Sequence, residues 1–231
     1  MDSAAMIERA RGALPGTKPD CVAPGILDLL EQFGSTVTVQ RTGEIYGQGK
    51  PTEFCWRILS GCVRTVKLME DGSRQIGEFL WPGDLFGMDD LGSHEFGADA
   101  VTDTTLCRYP RAMVEALAKS HIALALWLRS VAVANLRRAH QQMIMLGRRT
   151  AMEKIASFVL EMECRSTAAG HRLVDVPMSR SDIADHLCLT IETVSRVLTR
   201  LHSAGIVALV RSGLELCDRL VLVGLACETR H

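Results

Sequence analysis

The stretch Ser179–Gly205, SRSDIADHLCLTIETVSRVLTRLHSAG, constrains this chain more than any other. Its apolar positions, Ile183, Ala184, Leu187, Leu189, Val194, Val197, Leu198 and Leu201, recur at helical spacing in two blocks, 180–187 and 191–203. Between the blocks, Cys188-Leu189-Thr190 leaves room only for a tight turn. Ser179 followed by Asp182 predicts a capping-box start to the first helix. Thr190 suits the N-cap of the second, and Gly205 its end. Ala184 is small where two such helices must approach closely. Two short helices joined this way make a helix-turn-helix. Cys188 stands where glycine is usual, and a left-handed cysteine costs roughly 1 kcal/mol.

The polar face of the second helix carries the chemistry. Glu192 and Arg196 are four apart and share a face, with Ser195 beside them. An arginine can donate a bidentate pair to guanine O6 and N7, and a glutamate can accept from the cytosine amino group. Both residues lie near the helix N-terminus, the end that meets base edges in this motif. Thr193 and Arg200 flank that face and suit phosphates. The same spacing also describes an ordinary surface ion pair worth a few tenths of a kcal/mol.

Charge agrees with a nucleic-acid partner for one half of the chain only. The 231 residues carry a net charge of −1, so the whole molecule is not a nonspecific polycation. From Arg129 to Arg211, however, 12 Lys and Arg face 7 Asp and Glu. A basic C-terminal half on an acidic N-terminal half fits one DNA-facing domain. The eight cysteines, at 21, 55, 62, 107, 164, 188, 217 and 227, form no CxxC pair. With no signal-like N-terminus and no long apolar run, the reading is cytoplasmic, with reduced thiols and no membrane span.

Along the chain, residues 1–24 read as a flexible extension and Gly25–Phe33 as a short helix. Glycine-punctuated runs of β-branched and aromatic residues follow from Thr36 to Pro110. They predict strands at Thr36–Arg41, Phe54–Leu59, Cys62–Met69 and Gln75–Leu80, with a hairpin turn at Asp71-Gly72. Short strands at this spacing make a barrel or jelly roll. Cys55 and Cys62 read as small core residues, and His94 as a surface loop residue. From Ala112 to about Leu146 the pattern predicts one long helix. Ile122, Leu126, Val133, Leu136 and Met143 follow a 4-3 spacing on it, interrupted by Arg129 and His140. That stripe suits a parallel coiled-coil-like dimer, with an intrachain core helix as the other reading. Leu124, Leu128 and Val131 form a neighbouring stripe. Gly147-Arg148-Arg149 reads as a hinge region within Leu146–Met162, whose apolar positions Ala151, Ile155, Phe158, Val159 and Met162 share one helical face, and Leu173–Val176 reads as a short strand. Ile206–Val210 and Leu214–Cys217 form a wing hairpin around Arg211-Ser212-Gly213. Asp218 caps a final apolar helix, expected to pack against the dimer core.

The runs Ser-Arg-Ser-Asp-Ile-Ala-Asp-His-Leu and Leu-Thr-Ile-Glu-Thr-Val-Ser-Arg resemble the DNA-binding end of the CRP/FNR family of bacterial transcription regulators, closest to a FixK-like branch. The stretches Gly43–Gly49, Trp56–Gly61 and Phe79–Gly87 resemble the family's sensor barrel. The resemblance spans roughly 25–217. It implies an α+β chain in four parts. These are the extension 1–24, a cyclic-nucleotide-binding-type β jelly-roll barrel over 25–111, a dimerisation helix over 112–147, and a winged helix-turn-helix over 148–231.

It also implies a homodimeric activator that touches RNA polymerase and binds double-stranded DNA at a palindromic TTGA…TCAA-like promoter site through the recognition helix 191–204. Base reading then falls to Ile191, Glu192, Ser195 and Arg196, and phosphate contact to Ser179, Arg180, Thr190, Thr193 and Arg200. In the barrel, Met-Asp-Asp follows Gly87 where a ribose-binding glutamate belongs, and Glu95 and Asp99 stand where a phosphate-binding arginine belongs. No cyclic nucleotide is therefore expected. Nor is an iron–sulfur cluster, since only Cys21 lies in the first 50 residues. No cofactor or metal is predicted.

Two further readings remain at this stage. A ligand-binding subunit acting on a protein partner needs an intact phosphate pocket. An enzyme on a cupin-like barrel needs clustered ligands, and only His94 lies in the barrel. Control by a thiol points to Cys188, beside the phosphate-facing residues, where an inert half-buried cysteine is the other reading.

Overall fold

The structure, a computed structural model, describes residues 25–89, 92–148, 150–165, 173–210 and 213–227. The expected N-terminal extension, Arg149 and the wing tip Arg211-Ser212 lie outside the described residues. The described chain divides into two compact units, one running to His140 and one from Gln141 onward.

The first unit is a double-layered antiparallel barrel with helices on one face. After α1 (Ile26–Glu31) come β1 (Ser35–Val39), β2 (Glu44–Tyr46), β3 (Phe54–Ser60), β4 (Val63–Leu68), β5 (Arg74–Leu80), β6 (Leu85–Phe86), β7 (Gly97–Ala100) and β8 (Thr104–Pro110). They pair as two four-stranded sheets, β1-β8-β3-β6 and β2-β7-β4-β5. Strand period two explains why β3 and β8 are apolar on both faces. Trp56, Ile58 and Leu106 point between the sheets to meet Val63, Leu80, Phe86 and Ala98. Cys55, Cys107 and Tyr109 point the other way, toward Ile26 and Leu30 of α1 and the helices after the barrel. The expected core role of Cys55 and Cys62 holds, with 2% and 1% exposure. Phe33, read as part of α1's apolar face, lies beyond the helix and is exposed.

The single long helix expected over 112–146 is two. The chain forms α2 (Arg111–Ser120), then α3 (Ile122–Arg148), with His121 extended between them at φ −123° and ψ 94°. The break has a local cause. The Ser120 hydroxyl donates to the Leu117 carbonyl at 3.1 Å, competing with the backbone ladder. The His121 N–H still bonds Leu117 O at 2.8 Å, while its own carbonyl accepts the first N–H groups of α3, from Leu124 and Ala125. His121 thus ends one helix and starts the next.

The corner lets α3 lie on the barrel. Leu124 and Trp127 are buried with Cys55, Leu85, Cys107, Tyr109 and Val114, and Leu128 and Val131 pack at the edge. Further along, Arg138 pairs with Asp84 at 3.3 Å, and the same carboxylate accepts from the Trp81 N–H at 2.9 Å. This leaves the 4-3 stripe uncovered in the subunit: Ile122, Leu126, Val133, Leu136 and Met143 are all exposed. The neighbouring stripe is the intrachain one. Gly147 and Arg148, read as a hinge, still belong to α3.

The second unit holds α4 (Ala151–Arg165), β9 (Leu173–Asp175), α5 (Arg180–Leu187), α6 (Ile191–Ser203), β10 (Val207–Val210), β11 (Gly213–Leu216) and α7 (Arg219–Cys227). Ile155, Phe158, Val159 and Met162 of α4 form its centre, with Ile183, Leu187, Val194, Leu198 and Leu201. Thr150 and Glu153 make reciprocal bonds that start α4, a T-x-x-E box legible in the sequence. The wing hairpin β10–β11 gains β9 as a third strand, in the order β10-β11-β9. Gly213 makes that pairing close, since a Cβ there would fall on the Val174 carbonyl oxygen. Asp218 caps α7 by accepting from the Val221 N–H at 3.1 Å. The helix does not wait for a dimer core, as expected from its composition. It packs on α4 within its own unit through Leu222, Val223 and Ala226, and Arg219 pairs with Glu163 at 2.7 Å.

Candidate nucleic-acid interface

The interface is built from the ends of α5 and α6. Ser179 Oγ accepts from the Asp182 N–H and Asp182 Oδ2 accepts from the Ser179 N–H, both at 3.1 Å, so the capping box forms as the sequence predicts. Thr190 caps α6 by accepting from the Thr193 N–H at 3.2 Å. At the far end, the Gly205 N–H bonds His202 O and the Ile206 N–H bonds Leu201 O, with Gly205 at φ 69°. This is a Schellman end that only a residue at ease in the left-handed region completes without strain.

The turn between the helices adopts the strained form expected of it. Cys188 is left-handed, at φ 51° and ψ 54°, and exposed. What holds it there was not read from the sequence. Lys154 of α4 is 7% exposed, and its ammonium donates to the Leu187 carbonyl at 3.1 Å. Gln142 donates to the His186 carbonyl at 2.9 Å, and the His186 ring lies 6.0 Å from that of Phe158. Both donors satisfy orphan carbonyls at the C-terminus of α5, and a cation there also suits the helix dipole. A lone lysine and glutamine in amphipathic helices give no sign of this in sequence.

α6 is sharply two-faced. Val194, Val197, Leu198 and Leu201 are buried, while Ile191, Glu192, Ser195, Arg196 and Arg200 are exposed. The structure therefore brings the four expected base-reading residues to one open face. Ser179 and Thr190 are exposed, and Thr193 is half-buried. Arg180 is half-buried at the first turn of α5, and burial pulls its guanidinium below its ordinary value while leaving it charged. The Glu192 carboxylate is held below the usual range by its own backbone N–H and the Thr190 hydroxyl, with Arg196 adding a smaller pull. Arg196 Nη2 donates to Thr193 Oγ1 at 3.3 Å.

The barrel departs from expectation at His94. It is a buried residue, 3% exposed, and not a surface one. Its ring stacks on Tyr46 with centroids 3.7 Å apart, and Nδ1 bonds Asp89 Oδ2 at 2.8 Å. A flat ring with two polar nitrogens fits between an aromatic face and a carboxylate, and a loop residue's sequence context does not reveal that. The two acids expected to repel a phosphate are each paired with a β4 cation, Glu95 with Lys67 and Asp99 with Arg64. Tyr46, Trp56, Phe86 and Phe54 form an aromatic cluster in the barrel interior. Among the described residues, no helix is long and apolar enough to cross a membrane.

With this geometry in view, the comparisons with known proteins agree with both units. A model described as "Crp-like helix-turn-helix domain" matches residues 153–224, and one described as "Cyclic nucleotide-binding domain" matches 36–121. The chain is 43% identical over 180 residues to the nitrogen fixation regulation protein FixK of Azorhizobium caulinodans, covering 77% of this chain and 73% of that protein. It is 34% identical over 176 residues to the transcriptional activatory protein AadR of Rhodopseudomonas palustris, covering 75% and 74%. Among solved structures it matches FixK2 from Bradyrhizobium japonicum, with a TM-score of 0.80 and 39% identity, over 85% of this chain and 99% of that one.

Proposed function

Since the chain belongs to the CRP/FNR family of bacterial transcription regulators and is a DNA-binding transcription activator, we propose that it acts in the cytoplasm as a homodimer on an inverted repeat. The family is one of regulators, not enzymes. One α6 enters each of two successive major grooves, about 34–36 Å apart. Arg196 donates a bidentate pair to a guanine and Glu192 accepts from a cytosine amino group. Ile191 meets a thymine methyl, and Ser195 adds a polar contact. The half-sites read TTGA and TCAA. Ser179, Arg180, Thr190, Thr193 and Arg200 hold phosphates and set the register. RNA polymerase is the partner through which activation is delivered. In this reading the barrel works without a cyclic nucleotide, since Glu95 and Asp99 stand where the family's phosphate-binding arginine belongs and the β4 cations beside them, Lys67 and Arg64, are already paired with these acids.

The observation that carries this reading is the split of α6 into a buried apolar face and an open face bearing Ile191, Glu192, Ser195 and Arg196. Selection of bound duplexes from a random pool tests it. The expected result is an inverted repeat with a guanine–cytosine pair fixed in each half. Enrichment without two-fold symmetry overturns it.

Control falls to Cys188, which is exposed and directly precedes the turn into α6. Peroxide transfers one oxygen to the thiolate sulfur, giving a sulfenic acid and hydroxide, and a second equivalent gives water, a proton and a sulfinate with a fixed negative charge beside the phosphates. Peroxide should therefore weaken DNA binding of the wild type and spare Cys188→Ser in a shift assay. Equal loss in both removes Cys188 from control.

A further inference from the structure

Two of the four proposed base-reading side chains of α6, Arg196 and Glu192, flank a chain of hydroxyls. Arg196 Nη2 donates to Thr193 Oγ1 at 3.3 Å. Thr193 Oγ1 lies 3.1 Å from Thr190 Oγ1, which also accepts the Thr193 N–H as the N-cap of the helix. The Thr190 hydroxyl is also one cause that holds the Glu192 carboxylate below its usual range, acting on it as a hydrogen-bond donor does. One assignment of hydroxyl protons satisfies every link. Arg196 donates to Thr193, whose hydroxyl donates to Thr190, whose hydroxyl donates to Glu192. No oxygen then accepts more than its two lone pairs allow.

We propose that Thr193 is a positioning residue for sequence reading: through Thr190 it links Arg196 to Glu192 and holds both side chains in place before DNA arrives. This rests on the assignment of Arg196 and Glu192 to a guanine and a cytosine, and deepens it. Arginine and glutamate are long and rotamer-rich, and ordering them on binding costs affinity at the bases they read. Fixing them beforehand through a cap that α6 needs anyway removes part of that cost, and only at base pairs Arg196 and Glu192 read. A threonine used solely as a phosphate ligand behaves differently. It adds affinity to every sequence alike, because phosphates carry no sequence information. Thr193 is half-buried where Thr190 and Arg196 are exposed, and its hydroxyl contacts both.

The test uses the full-length protein and a set of duplexes: the selected palindrome, versions with the guanine–cytosine pair of each half replaced, and a nonspecific duplex. Thr193→Val keeps the β-branched shape and removes the hydroxyl. It should lower discrimination between the palindrome and the replaced sites about fivefold per half-site, the effect of one ordinary hydrogen bond. Loss of the Thr193 phosphate contact should weaken all duplexes, the nonspecific one included, by one common factor, so the fall in discrimination reads the positioning role alone. Thr193→Ser, which keeps the hydroxyl, should restore discrimination. In an Arg196→Ala background, Thr193→Val should add nothing further at the guanine. If Thr193→Val weakens all duplexes by one factor and leaves discrimination unchanged, Thr193 is a phosphate ligand only and the proposal is overturned. Should Thr193→Val melt early, Thr193→Ala reads the same quantity. Full discrimination by Arg196→Ala itself is a separate outcome. It removes the guanine assignment, and the positioning role with it.

Discussion

Alanine at Arg196 should lower affinity for the palindrome by about 1–3 kcal/mol in each half-site and abolish preference at the guanine. The size follows from what is lost. A bidentate guanidinium pair to O6 and N7 discriminates by that amount, and nothing else on the open face of α6 can replace it. In fold terms this is about 5- to 150-fold per half-site. The fold should not change. Arg196 is exposed, and the helix is held by Val194, Val197, Leu198 and Leu201 on its other side. Melting should therefore stay within about 0.5 kcal/mol of the wild type. Arg200→Ala supplies the contrast. A phosphate-contacting arginine weakens all sequences alike and reduces the salt slope by about one. Titration of both variants against the palindrome, its guanine-replaced forms and a nonspecific duplex separates the two roles. An Arg196→Ala protein that still selects guanine ends the assignment.

The reading of this region from sequence succeeds because each of its parts is local. Ser179 and Asp182, Thr190 and Thr193, and Gly205 with its two bonds all act within a few residues of one another. The alternation of Thr36 to Val39 and the apolar face of α4 are local in the same sense. What escapes is set at a distance. His94 is buried because Tyr46 of β2, distant in sequence, stacks on its ring, and its bond to Asp89 within the same loop region leaves no periodic trace either. Lys154 reads as a solvent-facing cation until the end of α5 is placed against it. The break at His121 lies between these cases. Its cause, a serine hydroxyl competing for a carbonyl, is local, yet a pattern search for proline and glycine passes over it. α7 escapes for another reason. Its apolar composition predicts burial without saying which neighbour supplies it, and α4 does so within the same unit.

Glutamate at both Leu126 and Leu136 should leave a folded single subunit that binds the palindrome at least a hundredfold more weakly. α3 has two apolar faces and the subunit uses one. Leu124 and Trp127, at 0% and 5% exposure, are spent on the barrel, whereas Ile122, Leu126, Val133, Leu136 and Met143 remain at 78%, 51%, 50%, 56% and 67%. Apolar surface gains about 25 cal/mol per Å² when covered, and the 4-3 spacing matches a second copy of the same helix. Arg129 and His140 continue that spacing, so the seam carries polar groups at two of its positions. Such groups weaken a seam and fix its register, which is what two recognition helices on one face of DNA require. Two carboxylates per helix, brought opposite their own copies, must either repel or stay apart. Because both sites are already in water in the subunit, the variant should melt within about 0.5 kcal/mol per site of the wild-type subunit. The loss of DNA affinity comes from losing the second half-site as an intramolecular event. Sedimentation of the variant alone, followed by titration with whole and half palindromes, reads both effects. A variant that remains dimeric, or that binds the whole palindrome as tightly as the wild type, removes this face of α3 from the assembly.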